Sequence, residues 1–183
     1  MRPGNNPIER YKAEKDGLDI LEEIEELAVQ HGGWETMDPG DRERLKWIGT
    51  FFRKPTPGQF MMRIRITNGQ ATSAQLHTLA HIARRLGNGI LDLTTRQQIQ
   101  LRAVEIKDVS QIMQSLPEVD LSSFQTGMDN VRNVNCCPLA GLTPKELFDA
   151  SPVGAEYTGI FLKNRAFTNL PRKFNVTLSL IHI

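Results

Sequence analysis

The chain has 183 residues, 39% hydrophobic and 23% charged, an ordinary globular composition that excludes a disordered or fibrous protein. Its net charge of +1 hides an asymmetry: residues 1–50 hold 12 acids and 7 Lys/Arg, whereas residues 51–183 hold 9 acids and 15 Lys/Arg. The front is acidic and the remainder is suited to facing an anion.

No run is apolar enough to span a bilayer, and MRPGNNPIERYKAEKDG has neither a signal core nor the acid-poor start of a transit peptide. A cytoplasmic protein with no membrane partner is expected. Residues 17–30 place Leu18, Leu21, Ile24, Leu27 and Ala28 at helical spacing, with glutamates between them and His31-Gly32-Gly33 as the stop. A second short helix is predicted from Asp41 to Ile48, with Trp47 and Ile48 as its buried end. Neither helix shows chemistry, so residues 1–52 read as a helical covering segment, closed by the RKPTPG break at 53–58.

Residues 60–66, FMMRIRI, alternate: Phe60, Met62, Ile64 and Ile66 on one face, Met61, Arg63 and Arg65 on the other. Asn68-Gly69 makes a turn, and Thr72 with Gln75 reads as a capping box. The helix behind it should bury Leu76, Leu79, Ala83 and Leu86 and end at Gly87-Asn88-Gly89. A strand from Ile90 to Leu93 leads into TTRQQIQLR at 94–102, read as a second strand with Arg96, Gln98, Gln100 and Arg102 on its polar face. Asp108 with Gln111 is predicted to cap a helix that buries Val109, Ile112, Met113 and Leu116. The order over residues 53–120 is β-α-β-β-α, a ferredoxin-like half-domain short of its last strand. A three-stranded sheet with an open edge predicts that something else completes it.

Residues 126–141 read as a loop centred on Arg132. Thr143-Pro144-Lys145-Glu146 should open a short helix, and residues 167–179 a loop bearing Arg172 and Lys173, then a strand. Cys136 and Cys137 are neighbours, so they make no disulfide framework and no metal site by themselves. Small, partly buried side chains are their expected role.

Arg63, Arg65, Arg96, Arg102, Arg132, Arg172 and Lys173 come from four stretches in which the nearest acid is Asp129. Those stretches are FMMRIRI at 60–66, TTRQQIQLR at 94–102, DNVRNV at 129–134 and LPRKFN at 170–175, approached by Lys46-Trp47-Ile48-Gly49 and Thr56-Pro57-Gly58. In that wording and order they resemble the nitrite and sulfite reductase family of sirohaem enzymes, from about residue 40 to Ser179, with the ferredoxin-dependent nitrite-reducing branch most similar.

The resemblance implies an α+β fold: N-terminal helices, the ferredoxin-like half unit, and over 126–183 the beginning of a sirohaem and iron–sulfur domain. It also implies sirohaem bridged to a 4Fe-4S cluster, reduced ferredoxin as electron donor, and six-electron reduction of nitrite to ammonium. By match with the family, Arg63, Arg132 and Lys173 would hold nitrite and relay protons. Arg65, Arg96, Gln100, Arg102 and Arg172 would grip the carboxylates of the macrocycle, a polyanion that demands matching cations. Asn175 stands where sulfite-reducing relatives carry a lysine, which favours monoanionic nitrite.

The family's cluster cysteines are expected downstream of LPRKFN, and this chain supplies no metal ligand for them. Its sequence turns to Leu180-Ile181-His182-Ile183, so the resemblance implies the N-terminal third of an enzyme, cut or frame-shifted near residue 179 and inactive alone. Competing expectations are a sulfite reductase, a relative that oxidises a corrinoid precursor, and an RNA-binding sheet. The RNA reading is weakened because Arg63, Arg65, Gln98 and Gln100 stand where base-stacking aromatics would be needed.

Overall fold

The computed structural model describes residues 6–30 and 34–179. The stop at residues 31–33, the ending at residues 180–183 and the first five residues of the chain lie outside the described residues. Three helices lead: α1 (Pro7–Glu14), α2 (Ile20–Gln30) and α3 (Pro39–Arg44). The first was not anticipated, although Asn6 caps it by accepting from Ile8 N at 3.1 Å and Pro7 fills its first turn. As expected, α2 buries Ile24 and Leu27, together with Ile20. Asp38 caps α3, which tightens into a 3-10 turn, Leu45–Ile48, with Trp47 and Ile48 buried.

The first sheet contains β1 (Thr50–Phe52), β2 (Phe60–Ile64), β3 (Leu91–Leu93) and β4 (Ile99–Val104), ordered β1-β2-β4-β3 and antiparallel throughout. The element that completes the expected three strands is β1, which comes from the segment expected to be wholly helical and pairs Thr50 with Met62 and Phe52 with Phe60. Met62, Ile64, Ile99 and Leu101 share one core with α2, with α4 (Ser73–Leu86) and with α5 (Val109–Ser115). The α4 capping box is present: Gln75 N donates to Thr72 Oγ1 at 3.2 Å and Thr72 N to Gln75 Oε1 at 3.0 Å. Its buried stripe is Leu79, Ile82 and Ala83, whereas Leu76 is exposed. Asp108 does not cap α5, because it ends a 3-10 turn in helical conformation and its side chain accepts no cap hydrogen bond.

TTRQQIQLR is not one strand. Residues 94–98 are the β3–β4 turn, with Gln97 N donating to Thr94 O, Thr94 N to Gln98 O, and Gln97 at φ 54°. The strand begins at Ile99, so only Gln100 and Arg102 share a strand face.

The second sheet has two parallel strands, β5 (Val131–Cys136) and β6 (Phe174–Leu178), with Val134 opposite Val176 and Cys136 opposite Leu178. The stretch expected as an Arg132 loop, 126–141, is therefore a strand in its middle. The crossover contains α6 (Ser151–Phe161), which was not anticipated, and the helix expected at Thr143 is a series of turns. Side-chain amides join the sheets. Asn133 Nδ2 donates to Ile66 O at 2.8 Å and to Arg96 O at 3.0 Å. Gln97 brackets Cys136, giving Nε2 to its carbonyl at 2.9 Å and accepting its N–H at 3.1 Å. No helix among the described residues is long and apolar enough to cross a membrane.

Cys136 is enclosed, its Sγ 3.4 Å from Asn68 Oδ1, and burial, then Asp149, pushes its thiol up; Cys137 is partly open. Iodoacetamide should therefore modify Cys137 first, by about tenfold or more, with Cys136 labelled only on unfolding. Peptide mass spectrometry after timed quenching checks this, and equal rates would contradict the bracketed packing of Cys136.

Candidate anion-binding site

An open basin of about 920 Å³ lies where the two sheets and the front segment meet, lined by Lys46, Arg63, Arg96, Arg132, Arg172 and Lys173 among others. Each cation has a different anchor. Arg63 projects from β2, Arg132 from β5, and Arg96 from the β3–β4 turn. Arg172 and Lys173 immediately precede β6, and Lys46 sits in the 3-10 turn before β1. Alternation along β2 and β5 fixes the side on which Arg63 and Arg132 emerge.

Arg63 and Arg132 converge on one backbone oxygen. Thr126 O accepts from Arg63 Nη1 at 3.4 Å and from Arg132 Nη1 at 2.6 Å, while Arg132 Nη2 donates to Met128 O at 2.7 Å. The Arg63 guanidinium lies over the Phe51 ring at 4.5 Å. Gly127 lets this loop approach: a Cβ there would stand 2.4 Å from Lys46 O and 2.7 Å from the Phe51 ring. The Nε atoms of both arginines are buried without a hydrogen-bond partner.

The charges crowd one another. Burial first, then Arg63 and Arg96, pull Arg132 down to about 10; burial and then Arg96 lower Arg63. The acid lining the basin is Asp129, and its Oδ2 accepts from the buried Lys12 Nζ at 3.2 Å. Lys12 also holds Glu9 at 2.7 Å and Leu170 O at 3.0 Å. Six cations thus face the basin with one acid that is already engaged, an arrangement a bound anion would relieve. Millimolar sulfate should raise the melting temperature by several degrees through preferential binding to the folded state. Differential scanning fluorimetry checks this, with Arg63→Met expected to abolish most of the shift.

Of the residues singled out in the sequence, Arg63, Arg96, Arg132, Arg172 and Lys173 come together. Asn175 adjoins them, its Oδ1 accepting from Arg96 Nε at 3.3 Å. Arg65 does not join them. It is buried, with Nη2 donating to the carbonyls of Phe124, Gln125 and Val131 at 3.0–3.3 Å and its guanidinium 5.1 Å from the Phe161 ring. Burial, then Arg132, bring it down to about 9. Arg102 is engaged by Asp92 of the neighbouring strand, an acid that sequence distance had hidden. Gln100 stands opposite Arg63 and Asp92 in the ladder, outside the basin lining. Lys46 was passed over because its helix showed no chemistry, although it opens the Lys46-Trp47-Ile48-Gly49 approach segment.

Among the described residues no group of three or more His, Cys, Asp or Glu could hold a metal ion. Cys136 and Cys137 do not fit an iron–sulfur cluster: one is enclosed, and a single adjacent pair falls short of four thiolates.

A cationic basin lies between a ferredoxin-like half sheet and a β-α-β crossover, and its excess of positive charge suits an anion. The chain belongs to the nitrite and sulfite reductase family: residues 52–119 match the nitrite/sulfite reductase ferredoxin-like half domain, and residues 127–182 the nitrite and sulphite reductase 4Fe-4S domain. It is 46% identical over 179 residues to the ferredoxin–nitrite reductase of Synechococcus elongatus, covering 94% of this chain and 35% of that protein. It is 42% identical over 197 residues to the chloroplastic ferredoxin–nitrite reductase of Arabidopsis thaliana, covering 96% of this chain and 32% of that protein. The structure of the Mycobacterium tuberculosis NirA protein superposes with a TM-score of 0.86 at 27% identity, over 95% of this chain and 35% of that one. The chain spans about a third of the length of the curated relatives it matches.

Proposed function

We propose that this chain supplies the anion-facing wall of an assimilatory, ferredoxin-dependent nitrite reductase located in the cytoplasm. The observation that carries this reading is the basin itself, with six cations, one engaged acid and two buried guanidinium Nε atoms without partners. Those features fit sirohaem, whose carboxylates would be held by Arg96 and Arg172 at the rim. When bound, sirohaem supplies the iron at which nitrite is reduced, with electrons arriving from ferredoxin through a 4Fe-4S cluster. Among the described residues no set of side chains fits that cluster.

The chain's own contribution is binding and proton placement. Arg63 and Arg132, docked on the same carbonyl, present two guanidinium edges to the oxygens of a small anion. Lys173 Nζ donates to the same anion and holds a proton for a departing oxygen. Asn175 is neutral and keeps Arg96 in place through its oxygen, which favours a monoanion over the dianion sulfite. The reading of the sheet as an RNA platform finds little support, since the Phe51 ring in the basin is already covered by Arg63.

A chimaera tests the proposal: this chain replaces the matching 179-residue stretch of the Synechococcus elongatus enzyme. The chimaera should retain sirohaem absorption and oxidise reduced ferredoxin in response to nitrite in preference to sulfite. Loss of the sirohaem bands from a folded chimaera would overturn it.

A further inference from the structure

We infer that Lys46 is a further carboxylate-binding residue of the basin, held ready by Glu43; this rests on the anionic-macrocycle reading of the site. Lys46 lines the basin, yet its ammonium is already matched by both oxygens of Glu43, at 2.6 and 2.7 Å. Arg172 and Lys173 form no ion pair among the described residues, so Lys46 is a cation of a different kind within the same wall. Its partner does not line the basin, and the pair is spaced i,i+3 with both side chains about a quarter exposed. Such pairs hold geometry without holding tightly, so an incoming carboxylate can share or take over the ammonium.

The Lys46 backbone is fixed where this function needs it. Its carbonyl accepts from Gly49 N at 3.2 Å and lies against Gly127, beside the Thr126 carbonyl on which Arg63 and Arg132 converge. Movement of the 124–128 loop is therefore felt at Lys46 and at both arginines together. Glu43 screens the ammonium from the other five cations while the basin is open, then yields it. This gives the front helical segment a part in recognition beyond covering the core.

The test uses the 183-residue chain and metal-free uroporphyrin, a tetrapyrrole octacarboxylate, with binding followed by fluorescence quenching at low ionic strength. Lys46→Met should bind about tenfold more weakly, the loss expected for one charge-assisted contact. Lys46→Arg should restore most of the affinity, and Glu43→Gln should tighten binding by removing the competing carboxylate. Lys107→Met, an exposed lysine outside the basin, should match the wild type. The inference is overturned if Lys46→Met binds as the wild type does, or if Lys107→Met loses as much. A wild-type chain that takes up no uroporphyrin would instead sink the functional reading on which it rests.

Discussion

Arg132→Met in the chimaeric enzyme is expected to lower nitrite reduction by about 10²–10³-fold, the loss typical of removing a preorganised donor from developing negative charge. Two roles disappear together. The guanidinium no longer faces the anion, the Met128 carbonyl loses its Arg132 donor, and the Thr126 carbonyl that also anchors Arg63 is held by Arg63 alone. Arg132→Lys keeps a charge but cannot bridge both carbonyls and still face the basin, so it should recover only part of the rate. Steady-state kinetics with reduced ferredoxin decide the matter. A change confined to KM would place Arg132 in binding alone, and activity within a few-fold of wild type would remove it from the site.

Arg65→Leu should act on stability. Its guanidinium is enclosed and donates to three backbone carbonyls of the 124–131 segment, so replacement strands buried acceptors without a partner. Such losses typically cost about 3–5 kcal/mol. In a chain of this size that lowers the melting temperature by roughly 10 °C. Urea unfolding followed by tryptophan fluorescence measures it directly. An Arg65→Leu variant with wild-type stability but weakened uroporphyrin binding would return Arg65 to the carboxylate shell, contrary to its enclosed position.

Arg63 and Arg65 show where sequence reading succeeds and where it stops. Alternation in FMMRIRI correctly placed Arg63 and Arg65 on one side of a strand. It could not show that residues 122–131 fold over the far half of that face, bridging to Arg65 N through Ser122 O and enclosing its side chain. The five cations that do meet were legible because each stands in a stretch poor in acids. The ion pair of Arg102 was not legible because Asp92, ten positions earlier, becomes its neighbour only when the hairpin closes.

The fold was legible where local chemistry is strong, as in the Thr72 capping box and the apolar stripe of α2. It was obscured where tertiary contacts override local preference. β5 reads as a loop because Asn133 and Asn135 break its apolar pattern, yet Asn133 turns inward and gives its amide to two carbonyls of the first sheet. α6 contains two glycines, and Gly154 is needed where it is: a Cβ would stand 1.9 Å from Asn68 Oδ1. A helix selected for close approach carries a weak amphipathic signature. In TTRQQIQLR the alternation of long polar residues crosses a turn, and period two had no physical meaning before Ile99.

The distances along the chain that the basin spans bear on the order in which it forms. Lys12 reaches Asp129, 117 positions away, and Leu170, 158 positions away, while Trp47 Nε1 donates to Thr168 O, 121 positions away. The β3–β4 hairpin closes over a few residues and needs no such search. The first sheet should therefore gain amide protection early in refolding, with the 124–131 loop and β6 last. A nascent chain would hold a formed hairpin well before it held any place for an anion, so the basin is expected to become competent to bind only after collapse.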